Sequence, residues 1–262
     1  MHGFYCHAGT SYGSTSLDEA TNWLTDEVTA VLDGATLANE LIKPKHSVSS
    51  PLILSVGSTP TAHAFSENAL TTLRARLESC GAKLELHAGN YPMLDLQQLA
   101  TSLIEPEAIA QRVIASVIAY YPGRGEDGCD EAMCDAGGIA MSKDQGPIPG
   151  FGDVIGIIPA AGPTTGATTP PKRGVHQLGW HLGRMSQEHG ILTRKKSTTT
   201  GHRAPISEDE KLHLGDIVEI VGQHACMIAA AYPWYYVIDS SQEQALGEEQ
   251  RIVDIWVPYK WW

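Results

Sequence analysis

The sequence predicts an α/β unit followed by a β-rich unit. Up to about Leu103, short apolar segments alternate with amphipathic segments, which is typical of βαβ units and a parallel sheet. Beyond Pro106, segments rich in Val and Ile stand between glycines and prolines, which favours strands. We therefore predict two domains, residues 1–105 and residues 106–262.

The first βαβ unit begins with a predicted strand from Gly3 to His7. The residues Ser16-Leu17-Asp18-Glu19 then have the spacing of a capping box, which predicts a helix that starts here and runs towards Ile42. Apolar residues recur along this helix at helical spacing and predict its buried face. They are Leu24, Val28, Val31 and Leu32.

The second and third predicted strands are Leu52 to Val56 and Lys83 to His87. The segment from Leu52 is almost continuously apolar, which is expected of a strand covered on both faces. A helix is predicted between the two strands from about Ser66, and Gly81 is well placed to end it in a left-handed conformation.

In the second half, four segments read as strands because they alternate or run apolar between Gly and Pro residues. They are Arg112–Tyr120, Ile217–Ile220, Trp234–Ile238 and Ile252–Trp256. The segment Gly146–Gly174 is rich in Gly, Pro, Thr and Ala, and Lys195–Glu210 is polar. We predict that both are long loops.

The chain is acidic, since 30 Asp and Glu residues against 18 Lys and Arg residues give a net charge of −12. This charge disfavours nucleic acid and anionic membranes as partners. The five cysteines are odd in number and scattered, which is typical of reduced thiols. The N-terminal residues have no basic start followed by an apolar run, and the apolar stretch from Ala225 to Ile238 is too short to span a bilayer. These features predict a cytoplasmic protein.

The loops after the predicted strands could bind an anion. Gly57-Ser58-Thr59 and Gly89-Asn90-Tyr91 combine small residues with hydroxyls, and backbone N–H groups at helix starts bind phosphate. Tyr5 and Tyr12 flank the first loop, where a ring could pack on a planar cofactor. The residues alone leave the alternatives open, namely glycines that only turn the chain and ordinary core or surface tyrosines.

His224-Ala225-Cys226 is the clearest candidate for a metal site. In a strand, residues i and i+2 project from the same face about 7 Å apart, so two side chains can reach one ion. An imidazole and a thiolate are preferred zinc ligands. A buried thiol beside a core histidine is the alternative that the spacing leaves open.

Several segments, in order and at matching spacing, resemble the eukaryotic D-serine dehydratase family. In the first half they are Gly3–Tyr12 (GFYCHAGTSY), Ser55–Thr61 (SVGSTPT) and Glu85–Tyr91 (ELHAGNY). In the second half they are Asp135–Gly137, Ser142–Asp144, Gln187–Gly190, His224–Cys226 and Val253–Trp256. The resemblance covers nearly the whole chain.

This resemblance implies an alanine-racemase-like fold, in which a (β/α) barrel holds pyridoxal phosphate and a β-rich domain supplies zinc. It implies zinc ligands at His224 and Cys226. It implies cofactor contacts at Tyr5, Tyr12, Gly57, Ser58, Thr59, Gly89, Asn90 and Tyr91. The implied reaction converts a small D-amino acid, D-serine, into pyruvate and ammonia, and a homodimer is left open. Related D-threonine aldolases usually have Asp where Cys226 stands, so the thiolate favours a dehydratase.

The chain departs from the family in its lysines. The family's Schiff-base lysine lies on the first barrel strand, and Lys43, Lys45 and Lys83 do not match that position. An eight-stranded barrel takes about 200 residues, so we predict only the C-terminal part of a barrel, an incomplete chain and no catalytic lysine. Two alternatives remain: a D-threonine aldolase-like lyase, and a non-catalytic remnant that binds zinc or cofactor.

Overall fold

A computed structural model of the chain describes residues 1–42, 51–160, 174–197, 199–203, 206–239 and 252–259. The chain divides into two compact units. The first comprises Met1–Ala108 and Gly146–Ile148, and the second comprises Ile109–Gln145 and Pro149–Trp262.

Among its described residues, the first unit has a three-stranded parallel sheet and four α-helices. The strands, paired in the order β1-β2-β3, are β1 (Gly3–Cys6), β2 (Leu52–Val56) and β3 (Ala82–Leu86). The helices are α1 (Leu17–Ile42), α2 (Thr59–His63), α3 (Glu67–Cys80) and α4 (Leu96–Ala100). The predicted strands and the two long helices are confirmed, whereas the two short helices were not predicted.

Helix α1 covers one face of this sheet. Its predicted apolar stripe is buried and packs against β1 and β2. Along β2, the residues Leu52, Leu54 and Val56 are buried, but Ile53 and Ser55 between them are only partly buried. The expectation of a strand fully covered on both faces is therefore wrong for the described chain.

The start of α1 differs in one detail from the predicted capping box. The Ser16 hydroxyl accepts the N–H of Glu19 at 3.3 Å, as predicted. The Glu19 carboxylate, however, accepts the N–H of Thr15 at 2.7 Å. Two N–H groups at the helix start are still satisfied, with the second bond moved back by one residue. At the far end of α3, Gly81 adopts the predicted left-handed conformation with a φ of 61°.

The second unit is a closed barrel of six strands with the neighbour order β4-β5-β8-β7-β6-β9. The barrel strands are β4 (Val113–Tyr121), β5 (Glu131–Cys134), β6 (Gly152–Ile158), β7 (Trp180–Met185), β8 (Gly190–Arg194) and β9 (Ile217–Gly222). The remaining elements are the hairpin of β10 (Tyr235–Ile238) and β11 (Ile252–Trp256), and the helices α5 (Gly138–Met141) and α6 (Ala225–Ala231). The β-rich character predicted for this half is confirmed.

The predicted loop Gly146–Gly174 is wrong in part, because β6 lies within it. Residues 161–173 of that loop lie outside the described residues. The second predicted loop, Lys195–Glu210, is irregular where it is described, apart from a bridge between Lys196 and Arg203 and a single 3-10 turn at Glu208–Glu210.

A buried ion pair lies beside the apolar core of the barrel. The Arg194 guanidinium, whose side chain is 2% exposed, donates to the Glu210 carboxylate at 2.8 Å. The same guanidinium lies 5.2 Å from the ring centre of Trp180. The backbone of Gly179 donates to the second oxygen of the same carboxylate at 3.0 Å. This arrangement satisfies charges that would otherwise be costly to bury.

His181 lies on β7, opposite Asp153 on β6 and Thr193 on β8 in the strand register. Burial, followed by the positive charges of Lys195 and Arg203, lowers the pKa of His181 to about 4, although the Asp153 carboxylate opposes the shift. Its Nε2 atom is buried and has no hydrogen-bond partner in the structure as described. The ring is therefore neutral at physiological pH.

The protonation of His181 predicts a pH-dependent stability. An unfolded histidine titrates near 6.5, so the neutral ring's contribution is fully present above that pH and is lost as the pH falls towards 4. This group alone should reduce the free energy of unfolding by about 2 kcal/mol between about pH 8 and about pH 5. Urea unfolding at both pH values measures the change.

His181→Asn should remove most of this pH dependence because it keeps a side-chain donor but cannot be charged. His202→Asn is the matched control, since the His202 side chain is 78% exposed. An equal pH dependence in wild type and His181→Asn would contradict the prediction.

Two observations bear on the expected location. No disulfide joins any of the five cysteines. Among the described helices, none combines the length and the apolar character needed to cross a membrane. The location itself stays a prediction.

Candidate metal and cofactor sites

The loops that follow the three parallel strands lie at one edge of the sheet, as the sequence predicts. Hydrogen bonds join them side by side. The hydroxyls of Ser11 and Ser58 are 2.7 Å apart, and the N–H of Asn90 donates to the Thr59 hydroxyl at 3.0 Å. The structure therefore brings the three predicted cofactor loops together.

The predicted cofactor residues differ in how far they are open to a ligand. Tyr5 and Tyr91 are each 63% exposed, and Gly89 is also exposed. Tyr12 is partly buried, with its ring centre 6.1 Å from that of His7. Asn90 is buried. The exposed phenols and Gly89 are the groups that a ligand could contact directly.

Ser58 and Thr59 build the loop itself. The Ser58 hydroxyl caps helix α2 by accepting the N–H of Thr61, and the buried Thr59 hydroxyl accepts a bond from the third loop. The Ser58 and Thr59 hydroxyls, which were predicted to contact the cofactor, thus form hydrogen bonds within the protein. The N–H of Thr59, the first residue of α2, has no acceptor within the helix, but Thr59 is fully buried.

Two features require glycine at position 57: its backbone conformation and the close approach of the third loop. Its φ is 121°, in a region that side chains rarely adopt. A Cβ atom here would lie 2.6 Å from the carbonyl oxygen of His87. Glycine therefore lets the second and third loops meet.

A buried carboxylate beneath these loops was missed by the sequence reasoning. Glu27 is 1% exposed, accepts the N–H of Ala8 at 2.7 Å and accepts the hydroxyl of Thr61 at 3.1 Å. It therefore ties the first loop to the second. The available signal was its position on α1, three residues after Leu24 and four before Val31, which places a charge within the apolar stripe.

A second polar cluster on the open face of the sheet was also missed. The Ser55 hydroxyl donates to the Glu85 carboxylate at 2.6 Å, and the His87 ring lies 2.9 Å from the same oxygen. These hydrogen bonds, the one from Ser55 first, lower the pKa of Glu85. The ring of Tyr5 is 5.6 Å from the ring of His87, so a predicted cofactor residue adjoins the cluster.

His224 and Cys226 do not lie in a strand, and that part of the prediction is wrong. Strand β9 ends at Gly222, His224 is the N-cap of α6, and Cys226 is the second residue of that helix. The segment after His224 is rich in alanine, the best helix former, which explains the helix. The two side chains nevertheless meet, because the His224 ring forms a hydrogen bond with the Cys226 side chain.

Asp144 completes the surroundings of His224. Its Oδ2 atom lies 2.5 Å from His224 Nδ1. The hydrogen bond with Cys226 and then the one with Asp144 raise the pKa of His224 to about 9, against the opposing effect of burial. Within the described ranges, no group of three or more His, Cys, Asp or Glu side chains is arranged to hold a metal ion.

Two segments to which we assign no chemical role contact each other closely near this site. They are Cys134-Asp135-Ala136-Gly137 and Gln187-Glu188-His189-Gly190. A Cβ atom at Gly137 would lie 2.5 Å from backbone atoms of Glu188 and His189. The N–H groups of Gly138 and Ile139 donate to the carbonyls of Ser186 and Gln187 at 2.9 and 3.0 Å. These contacts fix the start of α5, the helix that leads to Asp144.

Comparison with known proteins identifies the family. The family described as "Putative serine dehydratase domain" matches residues 110–238. A D-serine dehydratase of Schizosaccharomyces pombe is 39% identical over 266 residues, which cover 100% of this chain and 52% of that relative. The chain belongs to the D-serine dehydratase family. A second D-serine dehydratase, from Saccharomyces cerevisiae, is 31% identical and matches 100% of this chain and 54% of its own length.

This member of the D-serine dehydratase family spans about half the length of the curated relatives that it matches. The absence of the family's Schiff-base lysine stays a prediction. Lys83 lies on β3, and Lys43 and Lys45 lie outside the described residues.

Solved structures confirm the alanine-racemase-like fold. The D-threo-3-hydroxyaspartate dehydratase of Delftia sp. HT23 matches 99% of this chain and 56% of its own, with a TM-score of 0.63 and 26% identity. An alanine-racemase-like protein of Idiomarina loihiensis matches 97% of this chain and 55% of its own, with a TM-score of 0.61 and 23% identity. A D-threo-3-hydroxyaspartate dehydratase has also been solved as a histidine-to-alanine variant and as a cysteine-to-alanine variant in the metal-free form, with the two replaced positions two residues apart.

Proposed function

We propose that this chain supplies the cofactor-binding and zinc-binding parts of a D-serine dehydratase, which converts D-serine to pyruvate and ammonia with pyridoxal phosphate and zinc. The meeting of His224 and Cys226 at the start of α6, inside the serine dehydratase domain, carries the proposal. The match of the chain to two yeast D-serine dehydratases supports the choice of substrate.

The residues at the start of α6 fit a zinc ion. An imidazole and a thiol are donors that zinc prefers, and here they already contact each other. The metal-free cysteine-to-alanine variant of a D-threo-3-hydroxyaspartate dehydratase, in which a second replaced position, a histidine, lies two residues away, supports the same pair. With two protein ligands, coordination positions are left for water and for the substrate. Zinc, when bound, supplies positive charge that stabilises the oxygen of a departing hydroxyl.

The loops after β1, β2 and β3 fit a phosphorylated aromatic cofactor. Thr59 at the start of α2 is fully buried, so a phosphate would have to approach these loops at the exposed Gly89. At Gly89 no atom lies within 4 Å of where a Cβ would stand, so the chain is open there. The exposed rings of Tyr5 and Tyr91 suit packing on a planar ring. Pyridoxal phosphate, when bound, supplies an electron sink for a carbanion at the substrate's α-carbon.

Zinc binding by the chain tests the metal half of the proposal. We expect one zinc ion per chain, measured by competition with a chromogenic chelator. His224→Ala and Cys226→Ala should each lower zinc affinity by about 100-fold or more, because each removes one of two ligands. Cys129→Ala is the matched control and should bind zinc like the wild type. Equal zinc affinity in Cys226→Ala and wild type would refute this half.

A chimaera tests the reaction. The chain would be fused to the part of the Schizosaccharomyces pombe relative that it does not match. We expect this protein to release pyruvate from D-serine, and the Cys226→Ala chimaera to release none. Cleavage of D-threonine to glycine without pyruvate formation would favour the aldolase alternative. Neither activity, in a folded chimaera that binds zinc, would favour a non-catalytic remnant.

A further inference from the structure

We infer that Asp144 is the positioning residue of the metal site: its carboxylate holds the proton of His224 on Nδ1 and so turns Nε2, with its lone pair, towards the metal and Cys226. The inference rests on the proposed zinc site and assigns a role to a side chain outside the ligand pair. It also gives a function to the motif Ser142-Lys143-Asp144, which the sequence marks without explaining.

The contact between Asp144 and His224 is the first argument. Oδ2 and Nδ1 are 2.5 Å apart, which is short even for a hydrogen bond to a charged acceptor. The His224 side chain is 22% exposed and that of Asp144 is 42% exposed. When a metal takes the place of the proton on Nε2, the ring keeps one proton, and donation of that proton from Nδ1 to Asp144 leaves the Nε2 lone pair for the metal.

The backbone turn before Asp144 positions this carboxylate. Ser142 has a φ of 60°, in the left-handed region that costs a residue with a side chain of order 1 kcal/mol or more. Its hydroxyl accepts the N–H of Asp144 at 3.2 Å, which fixes the turn. Immediately before it, the fully buried side chain of Met141 anchors the end of α5. Backbone strain that the surrounding structure holds in place is typical of a functional turn.

The helices on either side set the distance across the site. Helix α5, which leads to Asp144, packs against α6, which carries Cys226 and has His224 as its N-cap. The start of α5 is in turn fixed by the close approach of Gly137 to the backbone of Glu188 and His189. The carboxylate, the imidazole and the thiol are therefore placed by two contacting helices.

The chemical consequence is a better metal ligand. A carboxylate that accepts the second ring N–H of a metal-bound histidine fixes the tautomer and the ring orientation and makes the ligating nitrogen more basic. Loss of such a partner typically weakens metal binding by roughly 10- to 100-fold. The proton shared with Asp144 and the metal lie at opposite nitrogens of one ring, so the two interactions support each other.

Zinc competition titration of the full chain tests the role. We expect Asp144→Ala to weaken zinc binding by roughly 10- to 100-fold. Asp144→Asn keeps an acceptor oxygen but loses the charge, so it should recover part of the affinity. Lys143→Ala is the matched control, because Lys143 is the exposed neighbour on the same turn and should bind zinc like wild type. Zinc affinity in Asp144→Ala within twofold of wild type would overturn the inference.

A second measurement needs no metal. In metal-free protein labelled with ¹⁵N-histidine, the hydrogen-bonded Nδ1–H of His224 should give a downfield proton resonance that is absent in Asp144→Ala and retained in Asp144→Asn. If wild type binds no zinc, the proposed function fails, and this resonance alone decides the role of Asp144. Absence of the resonance in wild type would overturn the role even if zinc binds.

Discussion

Replacement of Glu210 by alanine is expected to cost the barrel about 3 to 5 kcal/mol in free energy of unfolding. The Arg194 side chain lies beside Trp180 and is 2% exposed. Its guanidinium donates a hydrogen bond to the Glu210 carboxylate at 2.8 Å. Without that carboxylate, the charge stays buried and a backbone donor, the N–H of Gly179, also loses its acceptor. The expected loss is a large fraction of the total stability of a typical domain.

Urea unfolding followed by tryptophan fluorescence measures this cost. Glu210→Gln should lose less than Glu210→Ala, since the amide oxygen can still accept hydrogen bonds. Lys196→Ala is the control for an exposed pair, because Lys196 and Glu126 are about half exposed, and it should cost less than about 1 kcal/mol. A Glu210→Ala protein within 1 kcal/mol of wild type would show that the buried pair is dispensable.

The sequence predicted secondary structure best where burial of one face makes apolar residues recur at a regular spacing. Helix α1 was predicted together with its buried residues because Leu24, Val28 and Val31 recur with the helical repeat, and the structure buries all of them. The same repeat includes Glu27, which was overlooked because a pattern of apolar residues gives no weight to a carboxylate. Its partners lie in two other loops, and sequence spacing alone does not reveal contacts across the chain.

Strand β6 was misjudged because its glycines were taken as signs of a loop. A Cβ at Gly152 would lie 2.7 Å from the Ile220 side chain, and a Cβ at Gly156 would lie 2.7 Å from the Glu219 carboxylate. Both glycines therefore let a neighbouring strand approach closely. A glycine in a sequence can indicate either a turn or a close contact with a neighbouring strand. The two cases can be told apart only when the pairing of the strands is known.

The sequence predicted that the His224 and Cys226 side chains would lie together, but it predicted the wrong secondary structure for them. The spacing of His224 and Cys226 suggested neighbours on one face of a strand, whereas the structure places them at the N-cap and in the first turn of α6. The side chains meet in both cases. Asp144 lies 80 residues earlier in the chain than His224, so its contact depends on the packing of α5 and α6 and could not be predicted from spacing.

Substitution of Gly137 by alanine is expected to destabilise the second unit by about 3 kcal/mol, near the upper end for an overpacked site. A Cβ at this position would lie 2.5 Å from backbone atoms of Glu188 and His189. Backbone atoms cannot rotate away as a side chain can, so α5 or the facing turn must move. Thermal and urea unfolding of the variant measure the loss.

Gly138 provides the matched control because it is the adjacent residue of the same segment. A Cβ at Gly138 would lie 3.1 Å from Cε of Lys143, the flexible part of an exposed side chain, and 3.3 Å from the Ser186 carbonyl. Alanine is also favoured over glycine within a helix by about 1 kcal/mol. Gly138→Ala should therefore stay within about 1 kcal/mol of wild type, and equal losses in the two variants would contradict the steric argument.

The Gly137→Ala protein also connects the fold to the site. If α5 moves to relieve the contact, the turn at Ser142 moves with it and Asp144 should lose its hydrogen bond to His224. The variant should then bind zinc more weakly even below its unfolding temperature, as is expected of Asp144→Ala. If the facing turn at Glu188 moves instead, stability should fall while zinc affinity stays at the wild-type value. Measuring both quantities on one variant therefore shows which side of the contact is rigid.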